Sequence, residues 1–338
     1  MNVLSLFDGI SCGRVALERA GIAIERYFAS EIDKNAIRVT QKNYPNTVQV
    51  GDVANIKGNK YKGIDLIMGG SPCQGFSFAG KQLNFIDPRS RLFFEYVRLL
   101  EEVNPKYFLL ENVKMKQEYQ DIITKYLGVK PVEINSGLFS AQDRKRLYWT
   151  NIPINTLPEI NTTTVEDILE DEVNIKYCIE PQRTVVILEN EVKRRKIAYI
   201  GTDSQGNRIY RIHGKGVTLC GDAGGLGAKT GLYALPCLTP ERAEKRQNGR
   251  RFKPPHSKFY TLTAQDKHGI LTNNFIRKLT AVECERLQTL PDNYTEGLTD
   301  NQRYKALGNG WTADVVSHIF CSIVMQNQVA SYQYHGGA

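Results

Sequence analysis

An α/β fold with a largely parallel sheet, interrupted late by a smaller unit, is predicted from three observations. Short apolar runs alternate with amphipathic helical patterns over about the first 150 residues, the layout of parallel strands joined by covering helices. From about residue 172 the texture changes to clustered glycines, dense basic residues and short irregular β-like runs. After residue 275 the helical pattern returns.

Each element follows from its local pattern. Residues 3–7 form a strand, and 13–21 a helix marked by Val15, Ala16, Leu17 and Ala20. Residues 24–32 are a second strand, 34–43 a helix ended by Pro45, and 48–50 a short strand. The run 64–68 is a buried strand that exits into Gly69 and Gly70. Residues 91–103 carry an apolar helical stripe through Leu92, Phe93, Tyr96, Val97, Leu99 and Leu100. A strand at 107–110, a helix at 117–127 and strands at 131–135 and 146–150 complete the series. Residues 172–274 read as loop-rich β structure. A helix over 280–290 is stopped by Pro291, a last helix spans 312–324, and 331–338 read as a frayed tail. The expected domains are thus 1–171, an inserted 172–274, a return over 275–330, and the tail.

The bulk composition is that of a globular protein. No apolar run approaches the ~20 residues of a membrane span, and no signal-peptide layout opens the chain. The seven cysteines are scattered without a C-x-x-C pair, so neither a zinc site nor a disulfide framework is expected, and a reducing cytoplasm is. The net charge of +8 is unevenly placed. Residues 172–278 hold 20 Lys and Arg against 9 Asp and Glu, while the remainder is slightly acidic. This is either a solvated basic surface or a polyanion-binding module inserted into a near-neutral enzyme.

The candidate site residues stand at strand exits. Cys73, in Gly70-Ser71-Pro72-Cys73-Gln74-Gly75-Phe76-Ser77, is presented where a buried strand ends and a Gly- and Ser-rich loop begins. After the first strand, Phe7-Asp8-Gly9-Ile10-Ser11-Cys12-Gly13 places two glycines where a ligand can approach backbone and a helix start. Glu31, Ile32 and the pair Asp52-Val53 end the next two strands. An acid at such a place accepts ribose hydroxyls, Ile32 suits a purine face, and Asp52 an adenine edge. Together they favour a nucleoside cofactor. Glu111, in Glu111-Asn112-Val113, is a carboxyl able to serve a ring nitrogen beside a nucleophile. Arg144 and Arg146, one residue apart on an extended chain, point to one face and can grip a carbonyl and a phosphate, or simply form a charged strand end.

In this order the blocks resemble the DNA cytosine-5 methyltransferase family. They are Phe7-Asp8-Gly9, Pro72-Cys73-Gln74, Glu111-Asn112-Val113, Gln142-Asp143-Arg144-Lys145-Arg146, Arg277-Lys278-Leu279-Thr280 through Glu283 to Arg286-Leu287-Gln288, and Gly308-Asn309-Gly310-Trp311. The resemblance runs from Val3 to about Val324. It implies a Rossmann-like, S-adenosyl-L-methionine (AdoMet)-binding large domain, a small target-recognition domain inserted before the C-terminal helices, and S-adenosyl-L-homocysteine as product. It implies Cys73 as the nucleophile at cytosine C6, Glu111 at N3 and the exocyclic amine, and Arg144 and Arg146 holding the base and its loop. Phe7, Asp8, Gly9, Ile10, Gly13, Glu31, Ile32, Asp52, Val53, Pro72, Leu92 and Asn309 would line the cofactor. Gln74, Ser77 and Arg89 belong to a loop closing over DNA, and Arg91, Thr218 and Lys229 join them as DNA contacts. Arg277 and Glu283 match structural positions. Gly310 and Trp311 depart from the residues many members carry there. No metal is expected.

The expected function is sequence-specific methylation of double-stranded DNA by a monomer, without a membrane, in the cytoplasm of a bacterium or a phage-infected cell. A cognate restriction endonuclease would act separately. The alternatives are an RNA (tRNA) cytosine-C5 methyltransferase and a non-catalytic DNA-binding homologue. The target sequence is not legible in the recognition segment.

Overall fold

The structure is a computed structural model that describes residues 1–71, 91–159, 161–171, 173–179, 185–187, 196–200, 208–210, 215–221, 230–235 and 275–335. The chain forms two compact units. The first comprises 1–139, 144–160 and 310–338, and the second 140–143 and 161–309.

The first unit is a seven-stranded sheet. Its strands are β1 (Asn2–Leu6), β2 (Arg26–Ser30), β3 (Val48–Gln49), β4 (Leu66–Gly69), β5 (Tyr107–Val113), β6 (Val132–Asn135) and β7 (Lys145–Thr150), in the order β3-β2-β1-β4-β5-β7-β6. The pairs from β3 to β5 are parallel, whereas β7 runs antiparallel to both β5 and β6. Period-2 alternation assigns side chains to two cores. Leu4, Leu6, Ile67, Leu110 and Trp149 pack with the helices α3 (Arg91–Val103) and α4 (Gln117–Leu127). Val3, Tyr27, Leu66, Met68, Leu109 and Tyr148 pack with α1 (Cys12–Arg19) and the C-terminal α7 (Ala313–His335). A further helix, α2 (Lys34–Asn43), is N-capped by Asp33, which accepts from Asn35 N–H at 2.8 Å. The strand order reverses between β1 and β4, so a ligand crevice belongs at their C-terminal ends.

The second unit carries a six-stranded sheet of short strands, β8 (Cys178–Ile179), β9 (Val185–Ile187), β10 (Lys196–Ile200), β11 (Arg208–Tyr210), β12 (Leu232–Leu235) and β13 (Phe275–Arg277), in the order β8-β13-β12-β11-β10-β9. It also holds α5 (Ala281–Leu287) and α6 (Asp300–Asn309). Sequence reading assigned 161–171 and 275–309 to the larger domain, but the contacts group them with the second unit. The reason is local. Glu283 Oε1 accepts from Glu170 N–H at 2.9 Å, Arg286 donates to the Ile168 carbonyl at 3.0 Å, and Tyr177 and Tyr304 hydroxyls bond Asp300 and the Leu279 carbonyl. A capping box of Thr280 and Glu283 starts α5. The final helix runs to His335, beyond the expected end at 324, so residues 331–335 are helical backbone rather than a tail. Among the described residues, no helix is long and apolar enough to cross a membrane.

Candidate active site

The first turn after β1 is shaped by positive φ at Phe7 (55°), Gly9 (60°) and Ser11 (58°). Two of these residues are not glycine, and such strain gathers at functional loops. Glu31, just past β2, closes the loop. Its Oε2 accepts from Gly9 N–H at 2.8 Å, and its Oε1 from Ile32 and Asp33 N–H at 2.7 and 2.8 Å. One carboxylate thereby ties the exits of β1 and β2 together, and Oε2, with a single backbone donor, retains capacity for a hydroxyl. Ile32 is 70% exposed, an unusual position for a large apolar side chain beside a polar loop. A β-carbon at Gly9 would meet nothing within 4 Å, leaving its backbone open to approach. Asp52 caps the short turn after β3, accepting from Ala54 N–H at 3.0 Å, and remains exposed. A carboxylate, an exposed apolar side chain and an open glycine at adjacent strand ends fit the ribose and purine of AdoMet.

Ile10 and Val53 are buried at 1% and 3% exposure, and Phe7 and Leu92 pack against the α3 core. Asp8 turns to Tyr27 Oη, at 2.7 Å, and to Ser11 Oγ. Burial pushes its carboxyl up to about 6, against the lowering effect of those hydroxyls. A raised acid keeps its proton in the folded chain while the unfolded chain loses it, so stability falls as pH rises from about 4 to 6. Asp8→Asn is therefore expected to gain about 1–2 kcal/mol on wild type between pH 4 and pH 7. The full shift is discounted here because the residue is only half-buried. Urea denaturation at the two pH values checks this, and a pH-independent difference would refute it.

Glu111 stands in β5 opposite Tyr148 of β7, which makes Arg146 its diagonal cross-strand neighbour. Arg146 Nε lies 3.0 Å from Glu111 Oε1, with both side chains largely buried. The other oxygen, Oε2, accepts from Trp311 Nε1 at 3.1 Å. Asn112, pointing to the opposite face, is 2% exposed and donates to Ser71 Oγ at 3.3 Å and to its carbonyl at 3.4 Å. It thereby fixes the chain leaving β4, two residues before Cys73.

The two arginines make different contacts. Arg144 precedes β7, is 4% exposed, and donates to the Gly310 carbonyl at 3.0 Å. Its guanidinium is committed to the protein, which a charged residue does when it is fully hydrogen-bonded. In the second unit, Thr218 Oγ1 donates to the Asp143 carbonyl at 2.7 Å, and Asn309 is exposed at the end of α6. Arg91 is exposed at the start of α3. Pro72, Cys73, Gln74, Ser77, Arg89 and Lys229 lie outside the described residues. Sequence reasoning assigned no role to Trp311, Asn112 or Tyr27. Asn112 was signalled by its place beside Glu111, and Trp311 by its departure from the usual residue, whereas nothing marked Tyr27.

The family model described as C-5 cytosine-specific DNA methylase matches residues 1–325. The type II methyltransferase M.BanI of Aneurinibacillus aneurinilyticus is 30% identical, over 97% of this chain and 96% of its own. The orphan methyltransferase M.SPRI of Bacillus phage SPR is 28% identical over 96% and 97%. Among solved structures, Entamoeba histolytica methyltransferase EhMeth superposes with a TM-score of 0.69 at 20% identity, covering 97% of this chain and 98% of that one.

Proposed function

Since the chain belongs to the C-5 cytosine-specific DNA methylase family, whose members methylate cytosine C5 in DNA with AdoMet as donor, we propose that Cys73, Glu111 and Arg146 carry the reaction here. The observation that supports this most is the Glu111–Arg146 pair on β5 and β7. It lies one strand from the β4 exit that leads to Cys73.

The chemistry follows from the weakness of C5 as a nucleophile. The Cys73 thiolate adds to C6, an S–C bond forms, and the C5=C6 electron pair becomes enamine-like. Negative charge developing at N3 is neutralised by a proton shared with the Glu111 carboxyl, which Arg146 holds from the side. AdoMet, when bound, supplies a methyl carbon made electrophilic by its sulfonium. Glu31, Ile32, Asp52 and the Gly9 turn hold its nucleoside, and the Phe7–Gly13 turn holds the remainder. Methylation of C5 would break the S–CH3 bond and leave S-adenosyl-L-homocysteine; passage of the C5 proton to water and departure of the Cys73 thiolate then restore the aromatic ring. Arg144 acts as a positioning residue through Gly310.

The reacting atoms are stacked inside duplex DNA, so the cytosine must be flipped out. The loop holding Gln74, Ser77 and Arg89 closes over it, with Arg91 behind. Residues 172–274 supply phosphate contact and groove reading, Thr218 and Lys229 among them, and their basic excess supports this. The enzyme acts as a monomer in the cytoplasm of a bacterium or a phage-infected cell, and any cognate restriction endonuclease is a separate protein. Bisulfite sequencing of plasmid DNA from cells expressing the chain, with total tRNA converted in parallel, tests the reading. Protected cytosines within one short DNA sequence are expected. Protection confined to tRNA, or none in either, would overturn it.

A further inference from the structure

We propose that Trp311 is a positioning residue for Glu111, and that its indole N–H, rather than its bulk, is what the reaction needs. The inference rests on the reading of Glu111 as the group that meets cytosine N3. A carboxyl bonded through one oxygen can still rotate about its terminal torsion, which is broad and has no staggered wells. Arg146 engages Oε1 at 3.0 Å, and Trp311 Nε1 engages Oε2 at 3.1 Å, so the carboxyl plane is fixed by two donors.

The tryptophan is itself unusually well held. Its preceding carbonyl, that of Gly310, accepts from Arg144 at 3.0 Å, and the following residue, Thr312, accepts from Ser136 Oγ at 3.0 Å. The chain is thus held by a backbone bond on one side and a side-chain bond on the other of a ring that has a single donor and no other polar atom. That ring lies over two glycines. A β-carbon at Gly70 would stand 3.0 Å from Trp311 Nε1 and 2.9 Å from Glu111 Oε2, and one at Gly13 would stand 3.2 Å from the indole ring. Glycine at these positions lets the indole lie between the β4 exit and the start of α1. The two arginines of the Arg144–Arg146 pair then serve one carboxyl, one directly and one through Gly310 and Trp311.

The test compares wild type with Trp311→Phe and Trp311→His, measuring kcat and KM for AdoMet on duplex DNA. Phenylalanine keeps an aromatic ring and removes the donor. Histidine is smaller but restores a ring N–H. Glu111→Gln is measured alongside. A hydrogen bond to a charged group is worth about 1.5–3 kcal/mol, so Trp311→Phe is expected to lower kcat by about 10- to 150-fold, with KM for AdoMet within about threefold. Trp311→His is expected to recover at least part of that loss. A kcat for Trp311→Phe within twofold of wild type, a rise in KM without a fall in kcat, or a histidine variant no faster than the phenylalanine one would each overturn the proposal. If Glu111→Gln alone leaves kcat unchanged, the role given to Glu111 fails, and the positioning claim fails with it. If Glu111→Gln inactivates while Trp311→Phe does not, the positioning claim alone fails.

Discussion

Cys73→Ala is expected to lower the rate of methyl transfer to duplex DNA by at least ~10⁴-fold while leaving DNA affinity within a few-fold of wild type. The size of the effect comes from the chemistry. Without a covalent bond at C6, C5 keeps its aromatic electron density and has little to offer an electrophile. Cys12, the described cysteine at the start of α1, is 3% exposed, and burial pushes its thiol up to about 12, so it stays protonated and unreactive. Serine at position 73 is expected to do little better, because its hydroxyl is a far weaker nucleophile at neutral pH. The approach to the position is also rigidly set. A β-carbon at Gly69 would stand 2.7 Å from the Leu6 carbonyl, and Asn112 holds Ser71. Initial rates with a radiolabelled methyl donor on unmethylated DNA check the prediction, and a variant within tenfold of wild type would remove Cys73 from the mechanism.

Glu285→Ala is expected to destabilise the second unit by about 3–5 kcal/mol, the cost of stripping one partner from a buried ion pair. Glu285 is fully buried, and its Oε1 accepts from Arg303 Nη2 at 2.8 Å, from Thr295 N–H at 2.8 Å and from the Thr295 hydroxyl. Its Oε2 accepts from Asn293 N–H at 2.7 Å. One carboxylate therefore organises the whole connection from α5 to α6, including Asn293, which is held at a φ of 62°. Removing it strips the carboxylate from the Arg303 guanidinium, which keeps its bond to Thr295 Oγ1 at 2.8 Å, and orphans two backbone donors. Glu285→Gln, which keeps the shape but not the charge, should lose less. Urea denaturation of the intact chain measures both. A loss below 1 kcal/mol for the alanine variant would show that water or a neighbour replaces the carboxylate.

The first unit was legible because its signals are local. Strands β1, β2 and β4 are short apolar runs closed by glycines or acids, and their exits carry the site residues. Where the expectations erred, tertiary demands had displaced local preference. Strand β5 was expected to stop at Leu110 but continues to Val113, because Glu111 and Asn112 sit in a strand where packing alone would ask for apolar residues. Such a breach of pattern is what a reactive position looks like. Helix α6 went unread because it buries little, chiefly Tyr304, Leu307 and Gly308. The pairing of β8 with β13 joins residues about a hundred positions apart, and no period within either strand encodes that partner. Arg144 and Arg146 were read as a pair gripping the substrate, Arg146 most directly; their spacing does not encode that Arg146 meets Glu111 while Arg144 is bonded to the Gly310 carbonyl.

The helix that finishes the first unit is made long after the sheet it covers. Val315, Val316, Ile319, Phe320 and Ile323 of α7 cover Val3, Leu17, Tyr27 and Met68, while the strands themselves are complete by Thr150. At 5–20 residues per second, ribosomes need roughly 8–30 s to cross the intervening stretch. Through that interval one face of the nascent sheet is covered by α1 without α7, and the second unit emerges in the meantime. Completion of the first unit therefore waits for α7, and chains that end before Ala313 would leave exposed the apolar residues that α7 covers.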